Sequence, residues 1–185
     1  MKVLALGGSG GMGRFSSFAI SNYPNITKVT IADLNENNAK EFSNLFDNRF
    51  TGIGLDVTDK EHLEKIMSDH DIVLNTTGPF FKFGLSILKS AIKCKCHYFD
   101  ICDDWEPTEE MLKLNDEALK SEITAIVGLG ASPGISNLLG LKAMNELDKT
   151  ESIITGWDVS SAKPEDESSQ KGTNAAMEHG LQQIS

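Results

Sequence analysis

Gly8, Gly10 and Gly13 are spaced so that their backbone, with no side chain, could do chemistry. They stand in Gly7-Gly8-Ser9-Gly10-Gly11-Met12-Gly13, after the apolar run Val3-Leu4-Ala5-Leu6 and before a half-apolar stretch at 15–20. A strand before G-x-G-x-x-G and a helix after it make the pattern a phosphate-binding turn. The first glycine permits the tight turn, the second lets the backbone approach a pyrophosphate, and the third lets helix and strand pack closely. Gly8, Ser9, Gly10, Gly11, Met12 and Gly13 are therefore the candidate pyrophosphate cradle, with the helix dipole adding to the attraction. Asp33 follows Gly13 by 20 residues, where a carboxylate would accept hydrogen bonds from the adenosine ribose hydroxyls. Asp33 is followed by Leu34 and Asn35, not by Arg or Lys, so a 2′-phosphate would meet a carboxylate without an adjacent cation. That predicts NAD over NADP, with NADP possible because Lys40 could reach back from the next helix.

Further candidates lie at the ends of later apolar runs. Asp56-Val57 follows residues 50–55, where Asp56 could accept the adenine amino group beside the Val57 amide; a turn or cap aspartate is the alternative. Thr76-Thr77-Gly78-Pro79 leaves the run Ile72-Val73-Leu74, with Gly78 admitting a close approach and Pro79 fixing the turn. Tyr98, Asp100, Cys102, Asp103 and Asp104 cluster further on, where a carboxylate could hold an amine or move a proton, or simply be solvated. No catalytic residue is assigned from the sequence. Ser136 lies in no G-x-S-x-G elbow, and His179 is a lone histidine among polar neighbours. Cys94, Cys96 and Cys102 have neither disulfide parity nor a C-x-x-C spacing, so neither a disulfide nor a metal site is expected.

The elements that must position these residues alternate regularly. Strands are predicted at 3–6, 28–32, 50–55, 71–75, 97–101 and 123–128, and helices at 15–20, 36–46, 60–67 with Asp59 as its cap, 83–92 and 108–120. The second helix would be capped by Asn35 and bury Ala39, Phe42, Leu45 and Phe46. Six strands joined by helical crossovers imply a Rossmann-type α/β fold, doubly wound and parallel, in the order 3-2-1-4-5-6. Its ligand crevice opens at the carboxyl ends of strands one and four. After a helix at 133–147, whose Ile135, Leu138, Leu139 and Leu141 are expected to pack against the sheet or a further domain, the rhythm changes. A strand at 151–160, a polar stretch and a helix from 174 suggest a nucleotide domain at 1–150 and the start of a truncated second α/β domain at 151–185.

Composition narrows the function classes. A formal net charge of −10 argues against nucleic acid, which needs a basic face. No apolar run approaches the roughly 18–20 residues of a membrane helix. Met1-Lys2-Val3 enters the first strand directly, so a cytoplasmic protein is expected.

Taken in order, these residues resemble the saccharopine dehydrogenase-like family of saccharopine reductases, lysine dehydrogenases and carboxynorspermidine-forming enzymes. The matching pieces are the glycine loop, Leu55-Asp56-Val57-Thr58-Asp59, Gly78-Pro79-Phe80 with Gly84, and Tyr98-Phe99-Asp100. The most specific is Gly130-Ala131-Ser132-Pro133-Gly134-Ile135-Ser136-Asn137, similar to the Pro-Gly-Leu-Ser-Asn segment on which such proteins leave the nucleotide domain. The resemblance implies NAD(P)-dependent hydride transfer at a C–N bond of an amino-acid or polyamine-like substrate. It also implies a second domain that holds the substrate and forms a homodimer; the 185-residue chain alone is expected to be inactive. A non-catalytic NAD-binding sensor or scaffold is the alternative. Short-chain dehydrogenases match less well, because Tyr98 is followed four residues on by Cys102 and not by Lys.

Overall fold

The computed structural model describes residues 1–156. Apolar runs flanked by turns become β1 (Lys2–Leu6), β2 (Lys28–Asp33), β3 (Phe50–Gly54), β4 (Ile72–Asn75), β5 (His97–Asp100) and β6 (Ala125–Ile126). They form one sheet in the order β3-β2-β1-β4-β5-β6, all neighbours parallel. The helices are α1 (Gly11–Ser21), α2 (Glu36–Ser43), α3 (Lys60–Met67), α4 (Phe80–Cys94), α5 (Trp105–Leu112), α6 (Asn115–Lys120) and α7 (Ile135–Asn145). Strands apolar on both sides require cover on both sides. One core cluster joins Leu4, Leu6 and Val73 to Leu63, Met67, Ile87 and Leu88; the other joins Val3, Val29 and Ile31 to Ala39, Phe42 and Phe50.

Because every strand is parallel, the loops leaving β1 to β6 gather along one edge of the sheet. Between β1 and β4 the crossovers leave in opposite directions, and a crevice opens there. The loops after those two strands are tied together: the Thr76 amide and hydroxyl both donate to the Leu6 carbonyl, at 2.9 and 2.8 Å. Gly7 meets them at φ +67, where a Cβ would lie 3.0 Å from the Thr76 carbonyl oxygen.

Several boundaries differ from the sequence reading. α2 ends at Ser43, leaving Leu45 outside the helix and 67% exposed while Phe46 packs on the second core cluster. α4 begins at Phe80, directly after Pro79, because Phe80 is buried in the first cluster. The helix expected at 108–120 is two, broken where Leu114 turns into the core. β6 keeps only two residues; Gly128, at φ +74, carries the chain away from it. Pro133 precedes α7 behind Gly134 and is not in its first turn. Ile135, Leu138, Leu139 and Leu141, expected to pack against the sheet or a further domain, are 54–68% exposed, and α7 has no buried residue. Residues 151–156 are irregular and not strand; the remainder of the expected strand, to 160, lies outside the described residues. So do the expected polar stretch, the helix from 174 and His179.

Candidate functional site

The ends of the helices facing the crevice differ in how their first turns are satisfied. Asn35 caps α2, its Oδ1 accepting from the Asn37 and Asn38 amides at 3.1 and 3.3 Å. Asp59 caps α3 through the His62 amide at 3.1 Å. α1 has neither a side-chain cap nor an acidic residue in its first turn, and its N-cap is Gly10. The first amides of a helix need acceptors. At α1 the chain supplies none through a side chain, while the dipole there attracts an anion.

The three glycines of the loop are small for different reasons. A Cβ on Gly13 would lie 2.0 Å from the Gly7 carbonyl oxygen, and one on Gly8 2.9 Å from that of Ala5. Both are required by packing of the loop on itself and on β1. Gly10 is exposed, at φ −75 and ψ 176, and a Cβ there would meet only the Gly7 oxygen, at 3.2 Å. Any residue adopts that backbone, so the protein itself barely requires glycine here. A group approaching the α1 amides from outside would require it. Gly11 and Met12, in the first turn, are exposed.

Ser9 is buried, and its hydroxyl donates to Asp33 Oδ2 at 2.6 Å. Asp33 Oδ1 accepts from the Asn35 amide at 3.2 Å, which aims the carboxylate back across the loop. Leu34 is 62% exposed beside it. Lys40 instead pairs with Glu36 at 2.6 Å one turn away along α2. Arg14 was not singled out from the sequence, yet its Nε donates to the Ser9 carbonyl at 3.1 Å.

Asp56 forms a turn, accepting from the Thr58 hydroxyl at 2.7 Å and the Thr58 amide at 2.8 Å. These bonds hold its carboxyl below the usual carboxylate range. Val57 is half-buried against the core. At the β4 end, Thr77 donates its amide to Asn75 Oδ1 at 3.0 Å, while its hydroxyl is buried without a hydrogen-bond partner. Gly78 has open space around it, and the Gly78–Pro79 peptide is cis. Pro79 is the N-cap of α4, whose first turn also lacks a side-chain cap and an acid. An uncapped helix end and an orphaned hydroxyl thus face the switch point together with α1.

The acids after β5 divide. Asp100 is fully buried: Oδ2 accepts from the Tyr98 hydroxyl at 2.8 Å, and Oδ1 from the Cys102 and Gly128 amides at 3.0 and 2.8 Å. Asn75 Nδ2 completes the chain by donating to the Tyr98 oxygen at 3.0 Å. Burial raises the Asp100 carboxyl above its ordinary range against the pull of these donors, and burial followed by the Asp100 charge raises the Tyr98 phenol. This network ties β4, β5 and the exit of β6 together and leaves Asp100 no approach for a substrate. Cys102 is buried, its thiol pushed up to about 11 by burial; Asp103 is exposed and Asp104 buried. Among the described residues no group of His, Cys, Asp and Glu could hold a metal ion, and no helix is long and apolar enough to cross a membrane.

The family model of the saccharopine dehydrogenase NADP binding domain matches residues 3–126. The chain belongs to that family. It is 29% identical over 129 residues to the NADP(+), L-glutamate-forming saccharopine dehydrogenase of Schizosaccharomyces pombe, covering 70% of this chain and 27% of that protein. It is 31% identical over 97 residues to the Saccharomyces cerevisiae enzyme of the same name, covering 52% and 21%. Apo saccharopine dehydrogenase (L-Glu forming) from S. cerevisiae superposes with a TM-score of 0.67 at 28% identity, over 78% of this chain and 31% of that one. A Bacillus anthracis dTDP-glucose 4,6-dehydratase in complex with NAD shares the fold alone, at TM-score 0.52 and 13% identity, over 69% and 53%. The chain thus spans about a quarter of the length of the curated relatives it matches.

Proposed function

We propose that this chain binds a nicotinamide dinucleotide, with its pyrophosphate on the amides of Gly11, Met12 and Gly13. The uncapped first turn of α1, beside α2 and α3 that are capped, is the observation that carries this reading. Bound there, the dinucleotide supplies or accepts a hydride. The chain's own residues orient it. Ser9 and Asp33 take the adenosine ribose, Asp56 and Val57 flank the adenine, and Thr76, Thr77, Gly78 and Pro79 receive the nicotinamide half, the Thr77 hydroxyl gaining the partner it lacks. Leu34 shields one side of the ribose.

NAD is the preferred form in this reading, because Asp33 would repel a 2′-phosphate; the curated relatives carry NADP(+) in their names. Hydride transfer at a C–N bond of an amino acid is the reaction proposed for the whole enzyme, in keeping with the names of the same relatives. In this account residues 1–150 are the cytoplasmic nucleotide domain, and residues from 151 begin a substrate domain through which two copies pair. The test is calorimetric titration of the 185-residue chain with NADH and NADPH. Saturable binding with NADH at least about tenfold tighter, 1.4 kcal/mol, is expected. Binding of neither rejects the dinucleotide reading; equal affinity, or tighter NADPH, rejects the preference.

A further inference from the structure

Two contacts of Arg14, which follows Gly13 into α1, place it beside the loop. Its Nε donates to the Ser9 carbonyl at 3.1 Å, and its guanidinium lies over the Phe42 ring, 4.9 Å from the ring centre. Phe42 is 2% exposed and wedged edge-on between Phe18 and Phe46, so the platform under the guanidinium is rigid. The hydroxyl of the same Ser9 donates to Asp33 Oδ2 at 2.6 Å. A guanidinium and a carboxylate therefore engage one buried residue from opposite ends, at the place where the adenosine ribose rests if the pyrophosphate sits on α1.

The two groups pull cofactor choice in opposite directions. A carboxylate accepts from a 2′-hydroxyl and repels a 2′-phosphate. A guanidinium offers a planar fork of donors that matches phosphate and binds it in bidentate fashion. Stacking on Phe42 removes much of the side-chain freedom that such a contact would otherwise cost.

We propose that Arg14 reads the adenosine 2′-phosphate, so that Asp33 and Arg14 together set the ratio of NAD to NADP affinity. The inference rests on the dinucleotide reading above and names a determinant within that site. In this account the carboxylate favours NAD, and the guanidinium keeps NADP within reach.

The experiment measures dissociation constants of NADH and NADPH for the wild-type chain and for Arg14→Met, Arg14→Lys and Asp33→Asn, each checked by thermal melting. Arg14→Met should lose about tenfold or more in NADPH affinity while NADH changes by less than about threefold. Arg14→Lys should keep part of the NADPH affinity, and Asp33→Asn should raise it while weakening NADH. On the wild-type chain, adenosine 2′,5′-bisphosphate should weaken with salt more steeply than 5′-AMP. An Arg14→Met variant that binds NADPH normally, or loses both dinucleotides equally, overturns the proposal. If that variant does not fold, an unchanged ratio in Arg14→Lys together with equal salt slopes overturns it. Failure of the wild-type chain to bind either dinucleotide overturns the dinucleotide reading and this inference with it; binding of both with an unmoved ratio overturns the inference alone.

Discussion

At the scale of single residues, Gly13 and Gly10 differ in what packing demands of them. Gly13→Ala places a methyl 2.0 Å from a backbone oxygen that cannot retreat without moving β1's exit, so a loss of about 1–3 kcal/mol or more is expected in denaturant unfolding. Gly10→Ala meets one contact at 3.2 Å and should melt within a few degrees of the parent chain. A reversed order of the two variants would contradict the assignment of Gly13 to packing. Tyr98→Phe deprives Asp100 of a donor and Asn75 of an acceptor, all three fully buried. It should cost about 1–3 kcal/mol, read by the same unfolding curve. The glycine spacing and Asp33 were legible in the sequence because each is a residue type at a required distance from the other. The burial of Asp100 was not, because the network around it joins residues of β4, β5 and the exit of β6 that only the sheet order brings together. Arg14 was passed over for a similar reason: the ring that holds it belongs to another helix.

Elements dock on one another with little slack, and that limits substitution far from the crevice. A Cβ on Gly52 in β3 would lie 2.2 Å from the Ala39 carbonyl oxygen of α2, so backbone packs on backbone there. Gly52→Ala should force α2 off the sheet and lower stability by about 1–3 kcal/mol in chemical denaturation; a variant of parental stability would contradict the contact. Asp59 and Asn35 were legible as caps because cap chemistry is local. The early end of α2 and the break between α5 and α6 were not, since both are decided by which side chain the core accepts.

Below the sheet, His70 joins β2 to α3. Its Nδ1 donates to the Ile66 carbonyl at 2.8 Å, so Nε2 accepts from the Thr30 hydroxyl at 2.8 Å. Burial holds this imidazole below its ordinary range, with Lys28 and Lys2 acting in the same sense and Asp69 against. A base depressed in the folded state contributes stability that is full above its unfolded value, about 6.5, and is lost as pH falls through the lower folded value. The melting temperature should therefore drop on acidification below about pH 6.5, and His70→Gln should flatten that step. An unchanged pH profile in the variant would contradict the assignment.

At the scale of the whole molecule, the order β3-β2-β1-β4-β5-β6 brings the loops after residues 6, 33, 54 and 75 to one edge of the sheet. It was legible because alternating strand and helix patterns admit few right-handed parallel arrangements. The end of the chain was less so. Residues 151–156 read as the start of a strand by alternation, yet no neighbour pairs with them among the described residues. The apolar side chains of α7, exposed by half or more at Ile135, Leu138, Leu139 and Leu141, likewise show that periodicity marks an apolar face without saying what covers it.

The central claim is that the uncapped end of α1 holds the pyrophosphate of a nicotinamide dinucleotide, and that Gly10 is glycine for that purpose. The direct measurement is fluorescence titration of NADH and NADPH into the wild-type chain and into Gly10→Val, with the fold of each followed by thermal melting. Valine tolerates the extended backbone at Gly10, so the variant should fold. The expected result is saturable binding to the wild-type chain that is lost in a folded Gly10→Val. No saturable binding to the wild-type chain, or normal binding by the folded variant, would contradict the account.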